Sequence, residues 1–301
     1  MIGEVSSLES YLGGVRADVD AALDRLLPPA ADRPRTLHEA MRYSVFAGGK
    51  RVRPALALLA GETFGAARDA LLGGAAALEM IHTFSLIHDD LPALDDDDLR
   101  RGRPTVHRKF DEATAVLAGD ALLNLGLLTL AIEPRELEAD RRRRAVELVG
   151  DAVGTRGMIG GQMADLEAEA SVPDDPATTL EWIHQRKTGA LLTAAIRLGG
   201  LYAGAGAAED RLLTALGCEI GLLFQIADDI LDVEGDAEQL GKAVRKDAEA
   251  SKLTYPGLYG LERSKDLLVA VRDRALGLLP ELPDGAPLIR ALVHYLVDRD
   301  H

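Results

Sequence analysis

Apolar residues recur every three or four positions along most of this chain, and this spacing predicts a succession of amphipathic helices. The predicted helices are, in chain order, Val5–Leu27, Thr36–Phe46, Ala55–Gly65, Asp69 to about Leu94, Ala113–Ile132, Arg135–Val153, Leu180–Leu198, Asp210–Val233, Leu261–Leu279 and Pro287–Val297. Thr36, with Glu39 three residues later, is the expected N-terminal cap of the second helix. We find no strand pattern, linker or short repeat. The pattern therefore predicts an all-α fold in which residues 1–301 form one domain.

Two aspartate clusters interrupt this apolar background. The first lies within Leu86–Thr105 and contains Asp89, Asp90, Asp95, Asp96, Asp97 and Asp98, followed by Arg100, Arg101 and Arg103. An acidic run by itself is most often a solvated loop. The second cluster, Gln225–Asp232, lies among apolar residues, where a solvated acidic face is not expected. Two carboxylate clusters on apolar helices indicate a shared site for several metal ions.

The donor atoms indicate which metal these clusters would bind. Carboxylate oxygens without neighbouring thiols suit hard cations, Mg²⁺ before Ca²⁺, and argue against a zinc site. A calcium loop of the EF-hand type also fails, because the required glycine is Arg100 when counted from Asp95. Protein-bound Mg²⁺ commonly completes its shell with substrate phosphate. We therefore expect a diphosphate that is bridged by Mg²⁺ to both clusters.

The two clusters are predicted to differ in backbone geometry. On a regular helix Asp95 would lie about 140° around the axis from Asp90, so the two could not share one cation. Pro92 removes a hydrogen bond and disrupts the helix at this point. We therefore expect the helix to end at Asp89 and Asp90 and the chain to fold back at Asp95. Asp228, Asp229 and Asp232, in contrast, fall within about 100° on an unbroken helix.

A cationic segment, Gly48–Pro54, contains two glycines followed by three cations in four positions. The glycines allow a tight turn, and the cations at the start of the next helix form a candidate anion cradle. A basic surface loop is the alternative interpretation. The run Arg141–Arg144 has acidic neighbours at helical spacing, so we interpret it as a solvated helix face without function.

Composition excludes several classes of protein. The net charge of −15 argues against a nucleic-acid surface, so no nucleic-acid partner is expected. Cys218 is the only cysteine, which excludes an internal disulfide, and its apolar neighbours predict a buried thiol. The N-terminus lacks the features of a signal peptide. The apolar stretch Ala121–Ile132 is shorter than the ~20 residues of a membrane span. We therefore expect a cytoplasmic protein without a transmembrane segment.

Together these motifs resemble those of the trans-isoprenyl diphosphate synthases, the polyprenyl synthetase family, of the short-chain farnesyl and geranylgeranyl type. Leu86–Thr105 is similar to the family's first aspartate-rich motif, DDxxxxD, and Asp228–Asp232 to its second, DDxxD. Further similar segments, in the family's order, are GGKRxRP at Gly48–Pro54, HQRKTG at His184–Gly189, FQIADDILD at Phe224–Asp232 and GK at Gly241–Lys242. The resemblance covers almost the whole chain. It implies a large helical bundle with a central cavity, and a cytoplasmic homodimer.

The resemblance also implies a role for each matching residue. The implied Mg²⁺ ligands, for three ions, are Asp89, Asp90, Asp95, Asp228, Asp229 and Asp232. The residues implied to bind the allylic diphosphate are Arg100, Lys187 and Lys242, with Thr188 and Gln225 positioning that substrate. Those implied for isopentenyl diphosphate are Lys50, Arg53, His82 and Arg101. The implied catalytic residues are Asp89, Asp90, Asp95, Asp228 and Lys187. A histidine on an apolar helix is more often a core residue, but His82 lies seven residues before Asp89 and hence on the same face.

The implied reaction is an ionisation. The allylic C–O bond breaks, diphosphate leaves, the isopentenyl double bond attacks the carbocation, and a proton is then lost. Metal ions and cations around the leaving group supply the main stabilisation. Phe84, the fifth residue before Asp89, is a bulky aromatic at the position that limits product length in the family. The resemblance therefore implies farnesyl diphosphate as the product. Geranylgeranyl diphosphate is the alternative, followed by a class I terpene cyclase or a non-catalytic regulatory subunit.

Overall fold

The structure, a computed structural model, describes the backbone of residues 2–171, 173–239 and 253–298. Most of these residues lie in helices and almost none in strands, so the all-α prediction is confirmed. The α-helices are α1 (Ile2–Leu26), α2 (Arg35–Val45), α3 (Val52–Thr63), α4 (Arg68–Asp89), α5 (Val106–Lys109), α6 (Glu112–Ile132), α7 (Ala139–Val153), α8 (Met158–Ala170), α9 (Pro176–His184), α10 (Ala190–Ala203), α11 (Ala207–Gln239), α12 (Tyr255–Tyr259), α13 (Leu261–Leu278) and α14 (Pro287–Asp298). Two 3₁₀ turns, Leu279–Glu281 and Pro283–Gly285, join α13 to α14.

Three local features differ from the sequence prediction. A short antiparallel hairpin pairs Leu99–Arg100 (β1) with Arg103–Pro104 (β2), where four residues are too few to show an alternating pattern. A π-helix, Gln185–Gly189, joins α9 to α10. The capping prediction for Thr36 is wrong, because α2 begins at Arg35 and has no side-chain cap.

Five helices form the centre of the packing. Helix α4 packs against α3 and α6, and α10 packs against α3 and α11. At the crossing of α3 and α10, a side chain at Gly199 would lie 2.0 Å from the carbonyl oxygen of Ala57. Only glycine therefore permits this close approach of the two backbones. A cluster of buried apolar side chains extends from Leu8 in α1 to Leu296 in α14.

Two of the described helices, α4 and α6, are long and apolar enough to cross a membrane. The apolar stretch of α4 is 72% buried inside the fold, and that of α6 is 39% buried. The core helices of a packed domain also have these properties, so length and composition alone are weak support for a membrane span. The two helices pack against each other, and α6 additionally presents an exposed apolar face.

Candidate active site

The first aspartate region lies where α4 ends. The backbone N–H of Leu91 donates to the carbonyl oxygen of His88 at 3.1 Å, and the N–H of Asp95 donates to that of Asp89 at 2.9 Å. These two bonds tighten the last turn and fold the chain back over the helix end. The predicted reversal at Pro92 is confirmed, and it brings Asp95 beside Asp89.

Burial makes the carboxylates of this region costly to ionise. Burial raises the pKa of Asp89 to about 6; the charge of Lys187 opposes this shift, and the charge of Asp95 adds to it. Asp90 is only 3% exposed and accepts a 2.6 Å hydrogen bond from Arg100 Nε. Burial raises the pKa of Asp90 in spite of that bond. The guanidinium of Arg100, predicted to bind diphosphate, is therefore held beside the first aspartate region.

The second aspartate region lies inside the continuous helix α11, as predicted. Asp229 is 5% exposed, and each of its carboxylate oxygens accepts one hydrogen bond, from Gln225 Nε2 at 2.8 Å and from the backbone N–H of Tyr255 at 2.9 Å. Burial nevertheless raises its pKa to about 6. Asp228 is half-buried, whereas Asp232 is exposed. Asp229 is thus an anchored carboxylate, which joins α11 to the start of α12.

The π-helix links the two aspartate regions. Its Lys187 donates to Asp165 Oδ2 at 2.6 Å, and the charge of Lys187 also acts on Asp89. The next residue, Thr188, donates to Gln225 Oε1 at 2.9 Å, and Gln225 in turn holds Asp229. One short segment therefore contacts α11 through a hydrogen bond and the end of α4 through electrostatics.

Two glycines allow helices to approach the π-helix closely. A side chain at Gly161, in α8, would lie 2.3 Å from the backbone nitrogen of Lys187. A side chain at Gly221, in α11, would lie 2.8 Å from the Cα of Gly189. Because real Cβ atoms do not approach other atoms this closely, both positions require glycine for the observed packing.

The cationic segment before α3 contains two arginines with different environments. Gly48 and Gly49 have positive φ angles, which confirms the predicted turn. Arg51 points into the fold, where it bonds to Glu79 and Asp20 at 2.7 Å each. The prediction counted Arg51 as one of three cations in the cradle, but its guanidinium is used within the protein. Its role in this structure is to fix the turn.

Arg53 is buried, and its Nε has no hydrogen-bond partner among the described residues. Burial lowers its pKa to about 10, against the attraction of Glu79 and Asp228. The nearby His82 likewise has a buried Nδ1 without a partner in the described part of the chain. Burial, followed by the charge of Arg53, lowers the pKa of His82 well below its usual value. Buried nitrogens without partners, one of them on an arginine, are consistent with a place for an anionic ligand.

The other two residues implied for isopentenyl diphosphate, Lys50 and Arg101, are exposed. The guanidinium of Arg101 donates to the carbonyl oxygen of Gly48 and lies over Gly49. The structure therefore brings Arg101 to the cradle from the β-hairpin. Lys242 lies outside the described residues.

The carboxylates fit a hard cation by their donor chemistry, but they do not form a complete metal cage. Within the described residues, no three acidic, histidine or cysteine side chains converge as a preformed metal site. The raised pKa of Asp89 means that its ionised form lacks full compensation by the protein. A divalent ion shared with ligand oxygens would meet both conditions. The predicted magnesium ligands stay a prediction.

Phe84 and His88 form a packed pair on α4. Their rings meet edge to face with centroids 5.0 Å apart, and Phe84 is 6% exposed. His88 Nε2 lies 3.1 Å from the carbonyl oxygen of Val116, and the ring packs directly on Gly119 of α6. These contacts make His88 a packing residue between α4 and α6.

Sequence reasoning missed two contributions to this site. Asp165 is an unusual polar residue beside the glycines of α8, and that signal was available, but only the structure reveals its bond to Lys187. Tyr255 contributes through its backbone N–H, so its residue type carries no signal.

Cys218, which was predicted to be buried, is exposed, because it lies on the outer face of α11.

Comparison with known proteins adds an independent observation. A family model described as polyprenyl synthetase matches residues 34–275. The chain is 46% identical over 295 residues to geranylgeranyl pyrophosphate synthase 11, chloroplastic, of Arabidopsis thaliana, covering 97% of this chain and 82% of that protein. It is 42% identical to a dimethylallyltranstransferase of Fischerella ambigua, covering 98% and 84%. Its structure is similar to that of an FPP/GFPP synthase from Zymomonas mobilis, with a TM-score of 0.88 and 36% identity over 97% of this chain and 99% of the other.

Proposed function

The chain belongs to the polyprenyl synthetase family and is a short-chain trans-prenyltransferase, and we propose that it condenses isopentenyl diphosphate with dimethylallyl or geranyl diphosphate to give farnesyl diphosphate. The observation that best supports this reaction is the position of the π-helix. Lys187 acts electrostatically on Asp89, while Thr188 is linked through Gln225 to Asp229. Both acidic regions and a cation are therefore coupled, as the departure of a diphosphate requires.

The side chains have distinct roles in the proposed reaction. Lys187 and Arg100 bind the allylic diphosphate, and Thr188 and Gln225 orient the allylic substrate. The aspartates would hold Mg²⁺, which would supply positive charge that stabilises the leaving diphosphate. The electron pair of the allylic C–O bond moves onto the diphosphate. The bond therefore breaks and leaves an allylic carbocation.

The second substrate completes the reaction. Lys50, Arg53, His82 and Arg101 bind the diphosphate of isopentenyl diphosphate, and the buried unpaired nitrogens of Arg53 and His82 support this assignment. The isopentenyl double bond then attacks the carbocation, a new C–C bond forms, and a proton is lost to the released diphosphate. A terpene cyclase has no second diphosphate, so it would leave these two buried nitrogens unexplained.

The product is the finer part of the proposal. Phe84 is bulky, buried and braced by His88, which supports a pocket that stops at fifteen carbons. The Arabidopsis relative is named as a geranylgeranyl pyrophosphate synthase, which supports twenty carbons at least as well. The Zymomonas protein is named for two products, one of them FPP.

Chromatography of the products decides between these chain lengths. We expect the purified chain, given Mg²⁺, isopentenyl diphosphate and dimethylallyl or geranyl diphosphate, to accumulate farnesyl diphosphate. Phe84→Ala should extend the product to twenty carbons, and Phe110→Ala, outside α4, serves as the control. A wild-type product of twenty carbons would establish the geranylgeranyl alternative. No product without a second protein would instead support a regulatory subunit.

We also propose that the chain forms a homodimer through the exposed face of α6. Val116, Leu117, Leu128 and Ile132 are 40–58% exposed and lie along this one face. A large exposed apolar surface on a folded domain is typical of a protein interface. We expect light scattering after size exclusion to give a dimer, and Leu117→Glu with Leu128→Glu to give a monomer. A wild-type monomer at micromolar concentration would contradict this assignment.

A cytoplasmic location stays part of the proposal. The sequence analysis predicts this location, whereas the Arabidopsis relative is named as chloroplastic. Immunodetection in fractionated source cells would test it, and recovery of the chain in an organelle or membrane fraction would contradict it.

A further inference from the structure

A cavity of about 640 Å³ lies on another side of the π-helix, away from the aspartate regions. We call it the outer groove. It lies between α7, the turn before α8, the π-helix, α10 and the first half of α11, and none of the predicted catalytic or substrate-binding residues that the structure describes lines it. Its volume is within the range of sites that bind small molecules, about 300–1,000 Å³.

The charges in the outer groove are only partly paired. Arg197 is bonded to both carboxylate oxygens of Asp210, at 2.9 and 2.8 Å. Glu147 is bonded to Arg143, as the helical spacing predicts. These pairs use up two of the three acidic residues of the lining, and Asp151 is the third.

Three arginines of the lining have no carboxylate partner among the described residues, so their charge is available to an anionic ligand. Within the described residues, neither Arg144 nor Arg156 has a carboxylate partner, and the guanidinium of Arg186 stacks 4.1 Å from the ring centre of Trp182. The sequence interpretation of Arg144 as part of a functionless solvated face is therefore incomplete, because it lines a cavity. Arginine fits phosphate and diphosphate oxygens with two parallel hydrogen bonds.

The floor of the outer groove is apolar. It includes Leu148, Ala152, Ala190, Ala194 and Leu201. A ligand that uses both surfaces must combine an anionic head with an apolar portion. A free inorganic ion would leave the floor exposed, and a plain hydrocarbon would leave the arginines unpaired.

We propose that the outer groove is a second, non-catalytic binding site for an amphipathic diphosphate, of the class that includes the prenyl diphosphate product. The choice of ligand class rests on the proposed function, but the site itself rests on the cavity. A ligand there contacts Gln185 and Arg186, the residues that directly precede Lys187 in the π-helix. The same five-residue segment thus faces two different binding sites.

The only cysteine of the chain provides a direct test, because Cys218 is exposed and lines the outer groove. The full chain is treated with Ellman's reagent in excess EDTA, so that the reading does not depend on metal or turnover. The probes are farnesyl diphosphate, inorganic diphosphate and farnesol, each below the concentration at which it forms micelles. We expect farnesyl diphosphate to slow the reaction of Cys218 at least threefold, and the other two probes to have less effect.

Substitutions locate the protection. Arg144→Gln with Arg156→Gln should raise the half-protecting concentration of farnesyl diphosphate at least tenfold. Arg263→Gln, on α13, removes one arginine charge from an exposed side chain outside the groove and should change nothing. Both arginines of the double variant are exposed, so the fold should be retained, and circular dichroism checks this.

Several results would overturn the proposal. Equal protection by inorganic diphosphate would show that the apolar floor is not used, and equal protection by farnesol would show that the arginines are not used. Protection that survives in the double variant but is lost in Arg100→Gln with Lys187→Gln would assign it to the catalytic cavity. A chain that shows groove protection but no prenyl transfer with Mg²⁺ would contradict the proposed function alone.

Discussion

The first aspartate region lies where a helix ends and the chain folds back, whereas the second lies inside the unbroken helix α11. In the first region Asp95 is brought to Asp89 by a backbone hydrogen bond between these two residues. In the second, the helical repeat itself places Asp228, Asp229 and Asp232 on one arc. Similar sets of carboxylates can therefore be presented by a local chain reversal or by regular periodicity.

The two regions also stabilise their most buried carboxylate in different ways. Asp90 is paired with the charged Arg100, while Asp229 is held by the neutral donors of Gln225 and Tyr255. A charged partner compensates a buried carboxylate more strongly than a neutral partner does. Loss of either member of such a pair, however, leaves the charge of the other uncompensated. In each region the anchored aspartate has a neighbour, Asp89 or Asp228, that is predicted to contribute to the metal site.

The largest expected effect is a loss of turnover that is equal in the two aspartate regions. Asp89→Asn and Asp228→Asn should each lower turnover about 10³-fold, or about 4 kcal/mol in the barrier, because each removes a charge predicted to hold magnesium. Excess EDTA should abolish turnover of the unaltered chain. Steady-state assays over a range of Mg²⁺ concentrations measure both effects.

Asp273→Asn is the control for this pair, because Asp273 is exposed on α13 and bonds only to the neighbouring Arg272 among the described residues. Its activity should equal that of the unaltered chain. Full activity of either active-site variant would remove that region from the chemistry.

The next prediction concerns the π-helix, which links the two aspartate regions. Gly161→Ala should destabilise the fold by about 1–3 kcal/mol, because the added methyl overlaps the backbone of Lys187 and overpacks the contact. It should also lower turnover by displacing Lys187. Urea unfolding and steady-state kinetics are the measurements.

Gly150→Ala in α7 is the matched control. A side chain there meets nothing within 4 Å, so the variant should gain about 0.5–1 kcal/mol from helix propensity. Similar unfolding curves for the two variants would show that the contact between α8 and the π-helix is not tight.

A smaller expected effect is the difference in stability cost between substitutions of the two anchored aspartates, Asp90 and Asp229. Asp90→Asn keeps an oxygen that can accept from Arg100 but removes the negative charge that compensates its guanidinium, and should cost about 2–3 kcal/mol, below the full cost of a buried pair because Arg100 is partly exposed. Asp229→Asn keeps a carbonyl oxygen for one of its two neutral donors and also removes a buried charge whose ionisation burial opposes, so it should cost less than about 1 kcal/mol.

Urea unfolding of both variants without metal compares these two costs. Arg100→Gln supplies the control, since in the double variant with Asp90→Asn part of the cost should be recovered. An equal loss for Asp90→Asn and Asp229→Asn would mean that the charge of Arg100 is solvated and contributes little.

The smallest effect tests the backbone difference itself. Asp96 has a φ of 51° in the reversed chain, so Asp96→Gly should stabilise the protein by about 0.5 kcal/mol. Ala215→Gly, on an exposed position of α11, should instead cost about 1 kcal/mol. Thermal unfolding measures both, and a loss of stability in Asp96→Gly would contradict the described reversal.

Much of the site could be predicted from local signals. The helical character, the break near Pro92 and the arc of the second cluster follow from periodicity and from the missing N–H of proline. The division between Arg51 and Arg53 could not be predicted. Both are cations in one motif, and only packing against Glu79 and Asp20 decides that Arg51 turns inward.

The sequence by itself determined the helical class, the positions of both acidic clusters and the motifs of the family, because these depend on residue type and on spacing along the chain. The tertiary structure alone decided which aspartates are anchored, how Asp165 holds Lys187, and that Arg144 and Cys218 line one groove. Each of these facts depends on contacts between residues far apart in the chain. Burial and partner geometry at such contacts are properties of the packed helices, and local spacing does not encode them.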